Sequence, residues 1–195
     1  MKIGQSVREF IEKVSGRKIF KIIPFGFDSI YDIQRKLSNY KFDIVFDVGA
    51  NIGQTAQEFC KKLPAAKIYC FEPSADTFAQ LTQNTKEKKN VQLFRLALGN
   101  ESKTTKMIKS DRSDMNRVLK TEAEMIAVSE NEVETITMET LSDFCAANSV
   151  DHISYLKIDT EGFDLEVLRS GVTMLAEKKV DFVEVELYGD RKSVV

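Results

Sequence analysis

Two glycines stand where the sequence changes from an apolar run to a helical pattern. The run DVGANIG (47–53) follows a short apolar stretch, so Gly49 and Gly53 lie in a predicted strand-to-helix turn. Such a turn brings backbone N–H groups to a ligand at the start of a helix, and glycine lets the ligand approach without a Cβ clash. Ligands of open α/β sheets bind at the carboxyl ends of the strands. Taken alone, the pattern is also typical of an ordinary strand-to-helix turn.

An acidic residue ends the next apolar run. Glu72 lies nineteen residues after Gly53. A carboxylate at the end of a second strand can accept hydrogen bonds from both hydroxyls of a ribose, which predicts a nucleoside cofactor. The glycines do not have the G-x-G-x-x-G spacing of dinucleotide sites, and the chain has little room for a separate substrate domain. A mononucleoside cofactor without pyrophosphate is therefore favoured.

A pair of carboxylates ends a later apolar run, ISYLKID (153–159). Asp159 closes this run and Glu161 follows two residues later. In the strand order expected for such a sheet, this strand lies beside the first core strand, so Asp159 would lie next to the glycine turn. Two carboxylates at a strand end are costly unless they are hydrogen-bonded, ion-paired or functional.

Alternating strand and helix patterns would position these residues. Short apolar runs predict buried strands, at residues 42–48, 67–71, 91–98, 153–159 and 181–188. Apolar residues at helical spacing follow Gly53 and Ser74, and another helix is predicted to end at Gly171. This alternation predicts right-handed βαβ units. The predicted fold class is α/β, a Rossmann-like, open, mostly parallel sheet in the order 3-2-1-4-5 with helices on both faces.

Two segments fall outside this alternation. Residues 1–41 predict a short helical appendage, with one helix near 6–14 and a second that opens at Ser29, before a single Rossmann-like domain at 42–195. The polar middle of the chain, 99–138, predicts two short strands, KTTKMIK and VETITM, with a loop or weak helix between them.

Composition excludes several classes of protein. The 195 residues are 43% hydrophobic and 30% charged, which is typical of a globular domain and not of a disordered or fibrous chain. A net charge of −2 and the lack of an 18-residue apolar run predict no nucleic-acid partner and no membrane partner. Cys60, Cys70 and Cys145 are widely spaced, which argues against disulfides and a zinc site and favours a cytoplasmic location.

Several runs together resemble one enzyme family. They are VFDVGANIGQT, CFEPSADTFAQLTQN, LALGNES and ISYLKIDTEGFDLEVLRSG, and they occur in this order. Over roughly residues 42–187 the chain resembles the FkbM-type methyltransferases, a branch of the class I S-adenosylmethionine-dependent enzymes. The combination of DVGANxG, FEP and LKIDTEG makes the resemblance specific, and VETITMETLSDF resembles the segment before the fourth core strand of that family.

The resemblance implies S-adenosyl-L-methionine as cofactor and a role for each matching residue. The residues that would wrap its methionine part are Asp47, Gly49, Ala50, Asn51 and Gly53. Glu72 would hold the ribose hydroxyls, and Pro73 would shape the turn beside it. Ala97 and Leu98, at the end of the third strand, would flank the adenine.

The same resemblance would place Asp159 and Glu161 at the methyl group and the acceptor, which makes them the catalytic candidates. Much of the acceleration of a methyl transfer can come from positioning. A hydroxyl acceptor must also lose a proton, and either carboxylate could take it. Two other interpretations stay open: Asp159 could only orient the cofactor's ammonium, and Glu161 could stabilise the start of a helix. One D-x-E pair is too little to predict a metal site.

Other polar residues are weaker candidates. His152, the single histidine, lies at the amino end of the predicted fourth strand, opposite the site, so a surface or capping role is expected. Glu186, near the carboxyl end of the last strand, could line the crevice. Asn116 and Arg117, in the run SDMNRV (113–118), are candidates for contacts to an acceptor.

The predicted function is S-adenosylmethionine-dependent methyl transfer to a hydroxyl of a sugar, glycan or secondary metabolite, and the acceptor class follows from the resemblance alone. A nicotinamide-dependent oxidoreductase and a non-catalytic nucleoside-binding module stay open as alternatives. Class I methyltransferases usually follow the fifth strand with a helix and an antiparallel hairpin, whereas this sequence stops at GDRKSVV. Either the last two strands are absent or the sequence is a fragment. Their absence would expose a sheet edge at 181–188, through which a homo-oligomer could form.

Overall fold

The computed structural model describes residues 13, 25–110, 113, 116–119, 133–185 and 193–194. The helices are α1 (Ser29–Lys36), α2 (Gln54–Lys62), α3 (Ala75–Thr85), α4 (Leu141–Ala147), α5 (Asp164–Ser170) and α6 (Val172–Ala176). The strands are β1 (Ile44–Val48), β2 (Lys67–Phe71), β3 (Val91–Phe94), β4 (Ala97–Leu98), β5 (Lys103–Ile108), β6 (Arg117–Val118), β7 (Val133–Glu139), β8 (Tyr155–Ile158), β9 (Val183–Val185) and β10 (Ser193–Val194). The chain divides into two compact units, Met1–Tyr40 and Lys41–Val195.

The first unit contains α1, and its start differs by one residue from the prediction. Asp28, not Ser29, is the N-cap, and its side chain accepts a hydrogen bond of 3.0 Å from the backbone N–H of Tyr31. With Asp28 as the N-cap, Asp32 does not hold the capping-box position, and its Oδ2 accepts from the backbone N–H of Gly26 at 2.6 Å. The helix predicted near residues 6–14 lies, apart from residue 13, outside the described residues.

Within the described residues, the main sheet of the second unit has six strands in the order β10-β9-β8-β1-β2-β3. The five strands from β9 to β3 are parallel, which confirms the predicted α/β fold and the order 3-2-1-4-5. The central strand β1 is buried along Val45–Val48, as expected for a strand covered on both faces. β10 pairs antiparallel with residues 184 and 185 of β9. The expectation of an open edge at 181–188 is therefore wrong at these two residues.

The run predicted as one strand at 91–98 is divided between two sheets. The register of β3 with β2 ends at the pair Phe71 and Phe94. The chain then leaves the main sheet, and Ala97 aligns with Met138 of β7. The second sheet has the order β4-β7-β5-β6 and includes both strands predicted in the polar middle of the chain.

The second sheet has one buried and one exposed face. Along β7, Ile136 and Met138 are buried whereas Thr135 and Thr137 are exposed. This alternation is typical of an antiparallel sheet with a single covered face. The buried side chains form a small core that includes Phe163 from the segment after β8.

An aromatic cluster anchors α4 to the core of the main sheet. Phe144 of α4 is only 1% exposed. Its ring meets Phe71, Phe94 and Phe46 edge-on, with ring centroids 4.7, 4.8 and 5.8 Å away. Edge-to-face packing of this kind adds to the stabilisation that burial alone provides.

No helix in the described part of the chain has the length and apolar character needed to span a membrane.

We expect Phe144→Ala to lower the free energy of unfolding by about 3 to 5 kcal/mol, because it removes a buried ring and leaves a cavity between aromatic neighbours. Urea unfolding followed by circular dichroism measures the change. Leu165→Ala, on a side chain that is 52% exposed, is the control and should change stability by less than about 0.5 kcal/mol. Equal effects of the two substitutions would contradict the central position of Phe144 in the core.

Candidate active site

The turn after β1 is held between the ends of two neighbouring strands. The backbone N–H groups of Gly49 and Ala50 donate to the carbonyl of Phe71, at 3.0 and 2.9 Å. On the other side, the N–H of Asp159 donates to the carbonyl of Val48 at 2.9 Å. Gly49 has a φ of 82°, and a Cβ at this position would overlap the backbone carbonyl of Asp159. Only glycine fits this turn.

The turn borders a cavity of about 310 Å³ at the carboxyl ends of the main-sheet strands. The predicted site residues that line it are Gly49, Ala50, Asn51, Glu72, Pro73, Ala97, Leu98, Asp159 and Glu161. The structure thus brings these residues to one place, although their roles stay predictions. Ala97 and Leu98 reach the cavity from the second sheet, not from the end of a third main-sheet strand.

Two predicted residues do not line this cavity. Gly53 has a φ of 92°, and a Cβ there would lie 2.8 Å from Cδ1 of Leu81, so this glycine permits close packing of α2 on α3. Asp47 is fully buried within β1, with its Oδ1 3.9 Å from Nζ of Lys157. Both residues support the turn without bordering the cavity.

Glu72 is buried at the end of β2 and is held by the backbone. Its Oε2 accepts from the N–H of Asn51 at 3.1 Å, and its Oε1 accepts from the N–H of Ser74 at 3.0 Å. Burial raises the pKa of Glu72 to about 7, against the lowering effect of these two donors, and the charges of Glu134 and Asp47 raise it further. The carboxyl group is therefore fixed in position and titrates near neutral pH.

Lys157 is a lining residue that the sequence analysis missed. It lies in the fully buried strand β8, and its Nζ donates to Oδ2 of Asp159 at 2.8 Å. Burial lowers the pKa of this lysine, but the charges of Asp47 and Asp159 outweigh burial and raise the pKa above its usual value. A lone lysine in an apolar strand, two residues before a carboxylate, was the signal available in the sequence.

Glu161 lies in a sharp turn at the cavity. It has a φ of 51° and is followed by Gly162 with a φ of 93°. The carboxylate of Asp164, the first residue of α5, accepts from the N–H groups of Thr160 and Gly162, at 3.1 and 3.3 Å. Asp164 thus holds the turn that contains Glu161 in place at the cavity.

Polar residues between β5 and β6 complete the wall of the cavity. Ser113 donates to Oδ1 of Asn51 at 2.8 Å, which joins this wall to the glycine turn. Asn116 also lines the cavity, and its Oδ1 accepts from the N–H of Ser110 at 2.8 Å. Arg117 is exposed and is not among the lining residues.

The remaining polar candidates lie elsewhere. Nε2 of His152 is 3.0 Å from Oδ1 of Asp181, and both residues precede strands of the main sheet, at the end opposite the cavity. Glu186 lies outside the described residues. Within the described part of the chain, no three His, Cys, Asp or Glu side chains are arranged to hold a metal ion.

Comparison with known proteins gives a family and several relatives. Residues 47–193 match the family model described as methyltransferase FkbM domain. The hexuronic acid methyltransferase AglP of Haloferax volcanii is 30% identical over 148 residues, which are 75% of this chain and 56% of that protein. The 2-O-methyltransferase NoeI of Sinorhizobium fredii is 22% identical over 163 residues, 76% of this chain and 64% of that protein. The chain therefore spans less than two thirds of the length of either relative.

One solved structure shows a similar fold. The methyltransferase FkbM from Methylobacillus flagellatus KT superposes with a TM-score of 0.51 at 15% sequence identity. The match covers 76% of this chain and 33% of that chain. At this identity the likeness supports the α/β fold alone.

We expect the stability of the ligand-free protein to depend on the titration of Glu72. Its pKa is about 7 when folded, against an ordinary value of 4.5, so the folded state binds this proton more tightly than the unfolded chain. The stabilisation is complete below about pH 4.5 and is lost as the pH rises through 7, for a total of about 3 kcal/mol. Urea unfolding of wild type and Glu72→Gln at pH 5 and pH 8 measures it.

Glu72→Gln should remove this part of the pH dependence, whereas Glu87→Gln, an exposed control, should keep it. The same pH dependence in wild type and Glu72→Gln would show that Glu72 does not titrate as its burial indicates.

Proposed function

The chain belongs to the FkbM methyltransferase family, and from this premise we propose that it transfers a methyl group from S-adenosyl-L-methionine to a hydroxyl of a sugar. The observation that carries the proposal is the buried carboxyl group of Glu72, fixed beside the glycine turn at the edge of the cavity. The family match decides against the nicotinamide-dependent oxidoreductase. A module that binds the nucleoside without turnover stays an outcome of the tests below.

The residues present fit this cofactor. Each carboxylate oxygen of Glu72 accepts a backbone hydrogen bond and has a second lone pair, so both oxygens can also accept from ribose hydroxyls. Gly49 keeps the adjoining turn free of a side chain. Ala97 and Leu98 provide a buried apolar surface of the kind that an adenine ring would contact.

When bound, S-adenosyl-L-methionine supplies a methyl group on a positively charged sulfur. Asp159 and Glu161 line the same cavity, where their negative charge favours a cationic group. Because the site is partly removed from water, this electrostatic effect is stronger than at an exposed surface. One of the two carboxylates also accepts the proton that the hydroxyl loses, and the structure allows either of them.

The acceptor class is supported by two relatives and by the cavity wall. One relative is named for a hexuronic acid and the other for 2-O-methylation, which together favour a sugar hydroxyl. The wall offers polar groups of Ser113, Asn116 and Thr160 and an apolar surface of Met107 and Phe163. A sugar matches such a wall because it has hydroxyl groups at its rim and C–H groups on its faces.

We expect wild-type protein to bind S-adenosylhomocysteine and Glu72→Ala to bind it at least tenfold more weakly, because two charge-assisted hydrogen bonds to ribose are lost. Isothermal titration calorimetry at pH 8 measures both affinities. Glu87→Ala, which removes an exposed carboxylate, is the matched control and should bind like wild type. Absence of binding by the wild type would overturn the proposed cofactor.

The affinity of the wild type should also fall as the pH drops below 7. The ribose hydroxyls require the ionised form of Glu72, so the affinity should decrease up to about tenfold per pH unit below its pKa of about 7. Titrations at pH 5, 6, 7 and 8 test this. A constant affinity over this range would show that ionised Glu72 does not hold the ligand.

Transfer itself is tested with methyl-labelled S-adenosyl-L-methionine and a panel of neutral and acidic sugars. We expect the label to appear on a hydroxyl of at least one sugar. Asn116→Ala should raise the KM for that sugar at least threefold, because it removes a polar group from the proposed acceptor wall. Its affinity for S-adenosylhomocysteine should not change. Binding without transfer to any sugar would instead favour the non-catalytic module.

A further inference from the structure

A row of charged side chains crosses three strands of the main sheet. Lys157 of β8 is aligned with Asp47 of β1 on one side and with Glu184 of β9 on the other. Aligned residues of neighbouring strands project to the same face of a sheet, as does Asp159, two residues further along the chain. Lys157, Asp47 and Glu184 are 5%, 0% and 9% exposed. One ammonium group is thus placed among three carboxyl groups with little access to water.

The ammonium group of Lys157 is closest to Asp159. Its Nζ lies 2.8 Å from Oδ2 of Asp159 and 3.9 Å from Oδ1 of Asp47. The side chain of Asp159 is 28% exposed and lines the cavity, whereas Asp47 does not. The ammonium therefore connects a fully buried charge with a charge at the cavity.

Other titratable groups also face this row. The hydroxyl of Tyr155 donates to Oε2 of Glu184. Cys70 of β2 is aligned with Asp47, and burial raises the pKa of its thiol well above the usual value. Lys157 is the only cation among the described residues of this row. Its charge can therefore offset the charges of the neighbouring carboxylates.

We propose that Lys157 is a positioning residue: it keeps Asp159 ionised at the cavity, so that Asp159 orients the positive charge of the cofactor and does not accept the proton of the acceptor hydroxyl. A carboxylate that accepts a hydrogen bond from a buried ammonium is favoured in its charged form and is a weak base. The hydrogen bond also limits where Oδ2 can lie. This inference rests on the proposed function. Of the two carboxylates that could accept the proton, it leaves Glu161.

The ion pair is tested first without any ligand, by urea unfolding at pH 5 and pH 8. We expect Lys157→Met to lower the unfolding midpoint, and more at pH 8 than at pH 5, because the carboxylates lose their cation. A second substitution, Asp159→Asn, in the Lys157→Met protein should reduce this difference, and Lys157→Arg should resemble the wild type. Lys67→Met, on an exposed lysine of β2, is the matched control. The same loss at both pH values would overturn the pairing.

The orienting role is tested by calorimetry with S-adenosylhomocysteine, which carries the amino group but not the sulfonium. At pH 8, where Glu72 is ionised, Lys157→Met should bind at least threefold more weakly than wild type and Lys67→Met, because Asp159 loses the hydrogen bond that fixes its Oδ2. Lys157→Arg should bind like the wild type. In the Asp159→Asn protein, the further substitution Lys157→Met should have no additional effect on binding. Wild-type affinity of Lys157→Met at pH 8 would overturn the proposal.

Asp159→Asn alone separates the two roles of this carboxylate. We expect it to weaken S-adenosylhomocysteine binding at least tenfold. If Lys157→Met does not fold, the orienting role is tested by comparing Asp159→Asn with the wild type. Unchanged binding with lost methyl transfer would instead identify Asp159 as the proton acceptor and would overturn the proposal. If the wild type binds no S-adenosylhomocysteine, the proposed function fails, whereas the ligand-free unfolding series still decides whether Lys157 and Asp159 are coupled.

Discussion

The contact between the Gly49 backbone and the Asp159 carbonyl sets the geometry of the site. Because β1 lies between β2 and β8, the turn that ends it is tied to both neighbours by backbone hydrogen bonds. Glu72 directly follows Phe71, which accepts two of these bonds, and Asp159 donates the third. The same constraint that excludes a Cβ at residue 49 therefore fixes a carboxyl group on each side of the turn.

The buried charges distinguish this region from a sheet that is stabilised by apolar packing alone. A sheet stabilised by burial alone would have apolar residues at positions 47 and 157, because buried ions must recover their lost hydration through partners. Here the attraction to Asp47 and Asp159 offsets part of the hydration free energy that Lys157 loses on burial. For Glu72 less of this loss is offset, since its pKa stays near 7 although two backbone N–H groups donate to its carboxylate. Such arrangements cost stability, and they are typical of functional sites.

The sequence predicted those parts of the fold that depend on local pattern. The strand 67–71 was predicted residue for residue, because its apolar run is bounded by the exposed Lys67 and by Glu72. The run 91–98 looks equally continuous, yet it divides after Phe94, because local periodicity does not encode which strand each half will pair with. Lys157 was missed for a related reason. A single lysine in an apolar run does not reveal that two carboxylates will be folded around it.

The division of the run 91–98 has a consequence for how the site is assembled. After β3 the chain enters the second sheet, so Ala97 and Leu98 approach the cavity together with Met107 and Val118. Glu72 and Asp159 follow strands of the main sheet, whereas the second sheet supplies other lining residues, and Ser113, between β5 and β6, contacts the glycine turn. Under the proposed function, both sheets contribute to the cofactor site, because Glu72 follows a strand of the main sheet whereas Ala97 and Leu98 belong to the second sheet. The second sheet could change its lining residues without disturbing the backbone hydrogen bonds that fix Gly49, Glu72 and Asp159.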